Sequence, residues 1–303
     1  MRRIFHLTLL CLVGGVVSAC QSDLVVATEN IPTAGVRFIN AVPDTGGAFG
    51  MDLRFVDIFE SNAHFRITYR NGPSAGSPFV STQTQFKGAR AGARKFRIFF
   101  DDTLQTIAQF VVKDTTVTLT EAHNYTAILM GNSRSAGVDK MQLKFFDETV
   151  PDPVLQVAIR VINATASPID VRQYGVGGLA AALAAAPTWA AVPAYSVSTY
   201  ALVAPDTIRY NVQPAGGGAN LFADAVALPG FVASCSNLLC VGTEKPDIPA
   251  LPGTKIAGSA VTAIVFPPSA ALARTPQAAA FLVPAITFMW DRRPPKGCDP
   301  KIC

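Results

Sequence analysis

The residues that could carry chemistry are few and scattered. Outside the first twenty positions the only histidines are His64 and His123. Neither has a partner at metal-ligand spacing, and no His-x-x-x-His or His-Glu-x-x-His pattern occurs. A nucleophile–base–acid constellation around either one would need partners from distant parts of the chain. Asp101-Asp102 is no carboxylate dyad, because neighbours on a strand point to opposite faces and the pair sits between Phe100 and Thr103 as a turn. Asp44, Asp52 and Asp57 are the nearest approach to a Ca²⁺ set, but they lack the spacing of a Ca²⁺-binding loop. No nucleophile elbow and no phosphate-binding loop occurs, and Gly175-Val176-Gly177-Gly178 reads as a turn. The expectation is therefore no catalytic residue, no cofactor and no metal. The 19 Phe against 6 Tyr and 2 Trp point to core packing. Tyr69, Tyr174, Trp189 and Tyr195 lie near loops; they are the aromatic candidates for a binding patch, with edge-strand packing as the simpler account.

The cysteines say more. Met1-Arg2-Arg3 is a short basic segment, Ile4 to Val17 is mostly apolar, and Ser18-Ala19 precede Cys20. That order is a secretory signal, and Val17-Ser18-Ala19-Cys20 resembles the bacterial lipobox. Cleavage is expected to remove residues 1–19 and leave Cys20 acylated, with residues 20–32 as a tether. Gln21 after the cysteine, by resemblance to enterobacterial lipoproteins, favours the outer membrane. No later stretch approaches the ~20 uninterrupted apolar residues of a membrane span. Cys235, Cys240, Cys298 and Cys303 form two Cys-x₄-Cys pairs. In an oxidising compartment such thiols become disulfides, and a Cys₄ zinc site is the rival that spacing alone does not exclude. The local pairs Cys235–Cys240 and Cys298–Cys303 are favoured over bridges from tail to insertion.

The chain has 303 residues, half of them hydrophobic and 15% charged. This composition excludes a disordered chain. Removing Arg2 and Arg3 leaves 23 basic against 21 acidic residues, too balanced for a nucleic-acid binder. From Val36 onward the apolar residues recur with period two, as in Phe96, Ile98 and Phe100 or Met141, Leu143 and Phe145. These read as half-buried strands. With frequent Gly, Pro, Asn and Asp turns between them, they predict an all-β sandwich or barrel. One short Ala-rich helix signal spans Leu179 to Ala186.

The chain also repeats itself. Val36-Arg37-Phe38-Ile39-Asn40-Ala41 returns as Ile159-Arg160-Val161-Ile162-Asn163-Ala164, and Asp52-Leu53-Arg54 as Asp170-Val171-Arg172. Phe96-Arg97-Ile98 is matched with Ile208-Arg209-Tyr210, Tyr125 to Leu129 with Val261 to Val265, and Phe145-Phe146-Asp147 with Met289-Trp290-Asp291. Pro151-Asp152-Pro153 reads as a stiff joint. Two separately folded modules are expected, 33–150 and 154–294, followed by a cysteine-containing tail, 295–303. Segments 60–81 and 229–254 read as insertions.

The opening Val-Arg-Phe-Ile-Asn-Ala-Val-Pro-Asp, with Asp-Leu-Arg and Tyr-Thr-Ala-Ile-Leu after it, resembles the bacterial envelope modules of domain-of-unknown-function family 4397. The resemblance covers most of both modules and is weaker in the second. It implies immunoglobulin-like β-sandwiches in tandem on an exported protein, with no catalytic residues. The expected function is that of a membrane-anchored binding or structural module of the cell envelope, with a protein or glycan partner. A hydrolase of envelope polymers, built from distant residues such as His64 and His123, is the alternative.

Overall fold

Alternating apolar and polar residues give strands wherever one face of the segment can be buried. The computed structural model describes residues 31–44, 50–58, 66–70, 86–231, 251–270 and 278–292. The first half contains β1 (Thr33–Asn40), β2 (Met51–Phe55), β3 (Arg66–Ile67), β4 (Lys87–Arg90), β5 (Gly92–Phe100), β6 (Val111–Leu119), β7 (Asn124–Met130) and β8 (Gln142–Asp147). A one-turn helix, α1 (Gln105–Ala108), lies between β5 and β6. The second half contains β9 (Val157–Asn163), β10 (Ile169–Tyr174), β11 (Trp189–Val192), β12 (Ser196–Val197), β13 (Ala201–Val203), β14 (Arg209–Pro214), β15 (Phe222–Val226), β16 (Ala260–Phe266) and β17 (Ala285–Arg292). The predicted helix is present as α2 (Leu179–Ala184), ending before Pro187.

The protein is all-β, and among the described residues the strands form four sheets, two in each half. Strand orders are β4-β1-β7-β8 and β3-β2-β5-β6 in the first half, β12-β9-β16-β17 and β11-β10-β14-β15 in the second, with β13 also on β9. Pairings are antiparallel except β1 with β7 and β9 with β16, which are parallel. Each half buries its own apolar cluster between its two sheets. Phe38, Phe55 and Phe96 anchor the first, with Phe38 and Phe96 stacked at 5.5 Å. Trp189, Tyr210 and Phe288 anchor the second.

Strand pairing fixes which repeats correspond. Val36 and Arg37 pair with Tyr125 and Thr126 as Ile159 and Arg160 pair with Val261 and Thr262, so these matches are in register. Two matches need correction. Leu53 faces Ile98 and Val171 faces Val212, which makes Phe96 the counterpart of Tyr210, two places beyond Ile208. Tyr125 faces Asp147 while Val261 faces Trp290, so the counterpart of Asp291 is Glu148. An irregularity between Ala260 and Val261 follows the second shift.

The expectation of half-buried strands holds for β5, where Phe96 and Ile98 are buried between more exposed neighbours, but it does not extend to the central strands. Strands β1, β7, β9 and β16 are buried on both faces. Val36 and Phe38 enter the first core while Ile39 and Ala41 enter a third cluster. That cluster joins Ile128 and Met130 of the first half to Ile162, Ala164, Ile264 and Phe266 of the second. Residues Thr33–Cys303 accordingly form one compact unit. The two sandwiches have their own sheets, and an apolar joint fuses them.

Candidate functional site

Charge lies at the edge of this joint, where the strand period puts polar side chains on the same face as the shared apolar cluster. Arg37 on β1 and Arg160 on β9 are the residues that the period aims at the joint. Each donates from Nε to the hydroxyl of the threonine on its parallel neighbour, Arg37 to Thr126 at 2.8 Å and Arg160 to Thr262 at 2.9 Å. Two carboxylates complete the arrangement. Arg37 Nη2 donates to Asp291 at 2.5 Å and lies 3.4 Å from Glu148, while Arg160 donates to Glu148. The side chains of Arg37, Glu148 and Asp291 are wholly buried. Tyr200 donates to Asp291 at 2.9 Å, and its ring lies under the Arg160 guanidinium at 4.8 Å. Two positive and two negative charges cancel, and hydrogen bonds occupy both guanidinium groups, which is the condition under which buried charge is tolerated. Burial lowers the pKa of Arg160, opposed by the Asp291 charge. Burial, with the Asp291 charge, raises that of Tyr200.

This cluster is a lock between the halves, and further contacts extend it. Arg70, in the first half, donates to the carbonyls of Pro267, Ala280, Phe281 and Val283 in the second. Ala270 N donates to Pro43 O at 3.1 Å, and Arg292 pairs with Asp152 at 3.2 Å. The register of the sheets gives the body two ends. The chain enters at Thr33 at one end, together with Arg90, Gly92, Leu119, Asn124 and Asp147. The joint aligns Val157, Ala260 and Arg292 with this entry end. At the distal end lie the loops after β1, β5, β7 and β9 and the one before β17.

Exposed apolar side chains collect at both ends. Phe110 is 59% exposed and Val138 90% exposed at the distal end, together with Leu104, Leu282 and Val283. Arg70 holds the backbone of Phe281 and Val283, and so sets the position of Leu282 between them. These residues come from both halves of the chain. Only the joint brings them to one end.

The residues singled out in the sequence fare differently. His123 Nδ1 lies 2.8 Å from Asp147 Oδ2 at the surface of the entry end, a two-membered pair. His64 lies outside the described residues, as do Cys20, Cys235, Cys240, Cys298 and Cys303. The three aspartates do not converge: Asp44 accepts from Ser133 N and Arg134 N, Asp52 pairs with Arg54, and Asp57 pairs with Arg94. Among the described residues no cluster of His, Cys, Asp and Glu could hold a metal. Asp102 caps the turn before α1 through Leu104 N. Of the two readings of the loop-proximal aromatics, packing holds and the binding patch does not, because Tyr69, Tyr174, Trp189 and Tyr195 are all buried. Trp189 packs in the second core and donates to Thr199 O at 3.1 Å. Most of the segments 60–81 and 229–254 lies outside the described residues; Phe231 and Leu251, near the ends of the second, pair with each other.

The reading of the residues missed Arg37, Glu148, Arg160, Tyr200 and Asp291. A signal for two of them was present: an arginine inside an otherwise apolar strand, repeated at the same place in both halves. Among the described residues no helix is long and apolar enough to cross a membrane. No family model matches the chain, and no curated protein matches it.

Proposed function

We propose that this protein is a lipid-anchored, non-enzymatic scaffold of the bacterial cell envelope, held through Cys20 and presenting its distal end to a protein partner. The observation that carries the reading is the set of exposed apolar side chains at that end, Leu104, Phe110, Val138, Leu282 and Val283, drawn from both halves. Exposed apolar groups from both halves turned to the same end mark that end as a contact surface. They favour a protein over a glycan, because the Tyr and Trp side chains suited to stacking on sugars are spent in the cores. The fused joint supports a scaffold role, since a rigid body holds residues from two modules in one fixed array. Among the described residues the hydrolase reading rests on the His123–Asp147 pair.

The outer membrane is the proposed location, and the anchor is tested by detergent partitioning of the wild type against Cys20→Ala. The wild type should enter the detergent phase and the variant should not. The distal end is tested by a photo-crosslinking amino acid at Phe110, Val138 or Leu282, with Val176 at the entry end as control. One and the same protein adduct at the three distal positions is expected. Adducts at Val176 only, or none, would overturn the reading.

A further inference from the structure

We propose that the entry end of the body is itself a membrane-contacting surface, at which Val154, Leu155 and Val176 dip into the lipid interface. The inference rests on the anchoring reading, because the anchor brings this end to the bilayer. Val154 is 61% exposed, Leu155 58% and Val176 71%. All three lie at the end where β1 begins. Val154 and Leu155 precede β9, and Val176 follows β10, whose Tyr174 faces Arg209 at the start of β14.

Val154 has φ +50°, a left-handed conformation that a β-branched side chain adopts only under strain. Asp152 accepts its backbone N–H at 3.3 Å. A glycine would fit this turn without strain. A valine and a leucine instead project into solvent beside the end from which the tether leaves.

Residues 20–32 span at most about 45 Å when extended, and about 20 Å as a flexible coil. Tethering turns a second contact into an intramolecular one with a high effective concentration. Three aliphatic side chains, too few to hold a free protein firmly, then suffice to orient an anchored one. Exposed Lys255 and Asp152 at the same end carry both signs of charge, so apolar depth rather than anionic headgroups governs the contact. With the entry end seated on lipid, the distal end points away from the membrane.

The test uses a chain beginning at Gln21, which lacks Cys20 but retains the whole Thr33–Cys303 unit. Vesicle co-sedimentation is measured on phosphatidylethanolamine–phosphatidylglycerol and on phosphatidylcholine. Weak binding to both compositions is expected, reduced at least tenfold by Val154→Asp with Leu155→Asp. Binding should be unchanged by Leu104→Asp with Phe110→Asp. Val154→Gly relieves the strained turn, so it should raise thermal stability while still weakening binding, which separates loss of contact from loss of fold. Absence of binding by the wild-type chain, equal binding by the entry-end variant, or loss on the distal substitutions would each overturn the proposal. Because the test chain has no acyl group, these outcomes leave the Cys20 anchor to be judged by its own partitioning experiment.

Discussion

Arg37 and Asp291 stand 254 positions apart, yet Nη2 of the first donates to Oδ1 of the second at 2.5 Å with both side chains wholly buried. The bond ties the first strand of the first sandwich to the last strand of the second. Its counterpart, Arg160 with Glu148, runs between the halves as well. Each arginine is thus neutralised by the carboxylate of the opposite half.

Removing one member leaves the others uncompensated in a buried joint. Arg37→Leu should destabilise the protein by about 3–5 kcal/mol. Urea unfolding of Arg37→Leu, Asp291→Leu and the double variant should show the double costing well below the sum of the singles. Additive costs would mean that the pair is not energetically coupled.

Separating the halves should fail where the sequence repeats alone suggest success. A chain ending at Val150 would expose Ile39, Ile128 and Met130, and one starting at Val154 would expose Ile162, Ile264 and Phe266. Each half is expected to aggregate or self-associate on its own, and a mixture of the two should recover a 1:1 complex. Sedimentation and circular dichroism check this; two stable monomers that ignore each other would contradict it.

Alkaline pH should loosen the structure. Burial, followed by the hydrogen bond and charge of Asp224, pushes Tyr174 up to about 12, and burial with the Asp139 charge does the same for Tyr195. Tyr200 is also raised. A phenol whose folded pKa exceeds its unfolded value of 10.0 contributes stability that is complete below pH 10. That contribution is lost as pH rises through the folded value. Stability from this source is therefore expected to be flat below pH 10 and to fall above it, and the phenolate absorbance of these residues should lag that of free tyrosine.

Tyr210 offers an opposite outcome. Its hydroxyl is fully buried in the second core and has no hydrogen-bond partner among the described residues. Tyr210→Phe removes an unpaired polar atom and keeps the ring, so it should stabilise the protein by about 1 kcal/mol. Chemical denaturation measures it; a loss of that size would show that the hydroxyl is satisfied.

Asn163 closes the turn after β9. Its amide donates to Ser167 O, Val192 O and Pro193 O, and its carbonyl accepts from Thr165 N. Asn163→Ala strands these buried groups and should cost about 1–3 kcal/mol by the same measurement.

The residues by themselves determined the strands, the turns, the short helix at Leu179 and the existence of an internal repeat. These depend on local periodicity and on the conformational limits of Gly, Pro and Asn. The sequence also contained, in Ala127-Ile128-Leu129-Met130 and Ala263-Ile264-Val265-Phe266, runs too continuous for a strand with one wet face. Those runs announced a second buried face without saying what covers it. Tertiary structure decided that the cover is the other half of the chain. It also decided that Glu148 rather than Asp147 answers Asp291, because β8 pairs Asp147 with Tyr125 where β17 pairs Trp290 with Val261, so the next residue of each strand is the carboxylate at the joint. Burial of Trp189 and the tyrosines, and the gathering of Phe110, Val138 and Leu282 at one end, follow from packing between segments far apart in sequence. Local pattern carries no information about such distances, so only the folded body could place these residues.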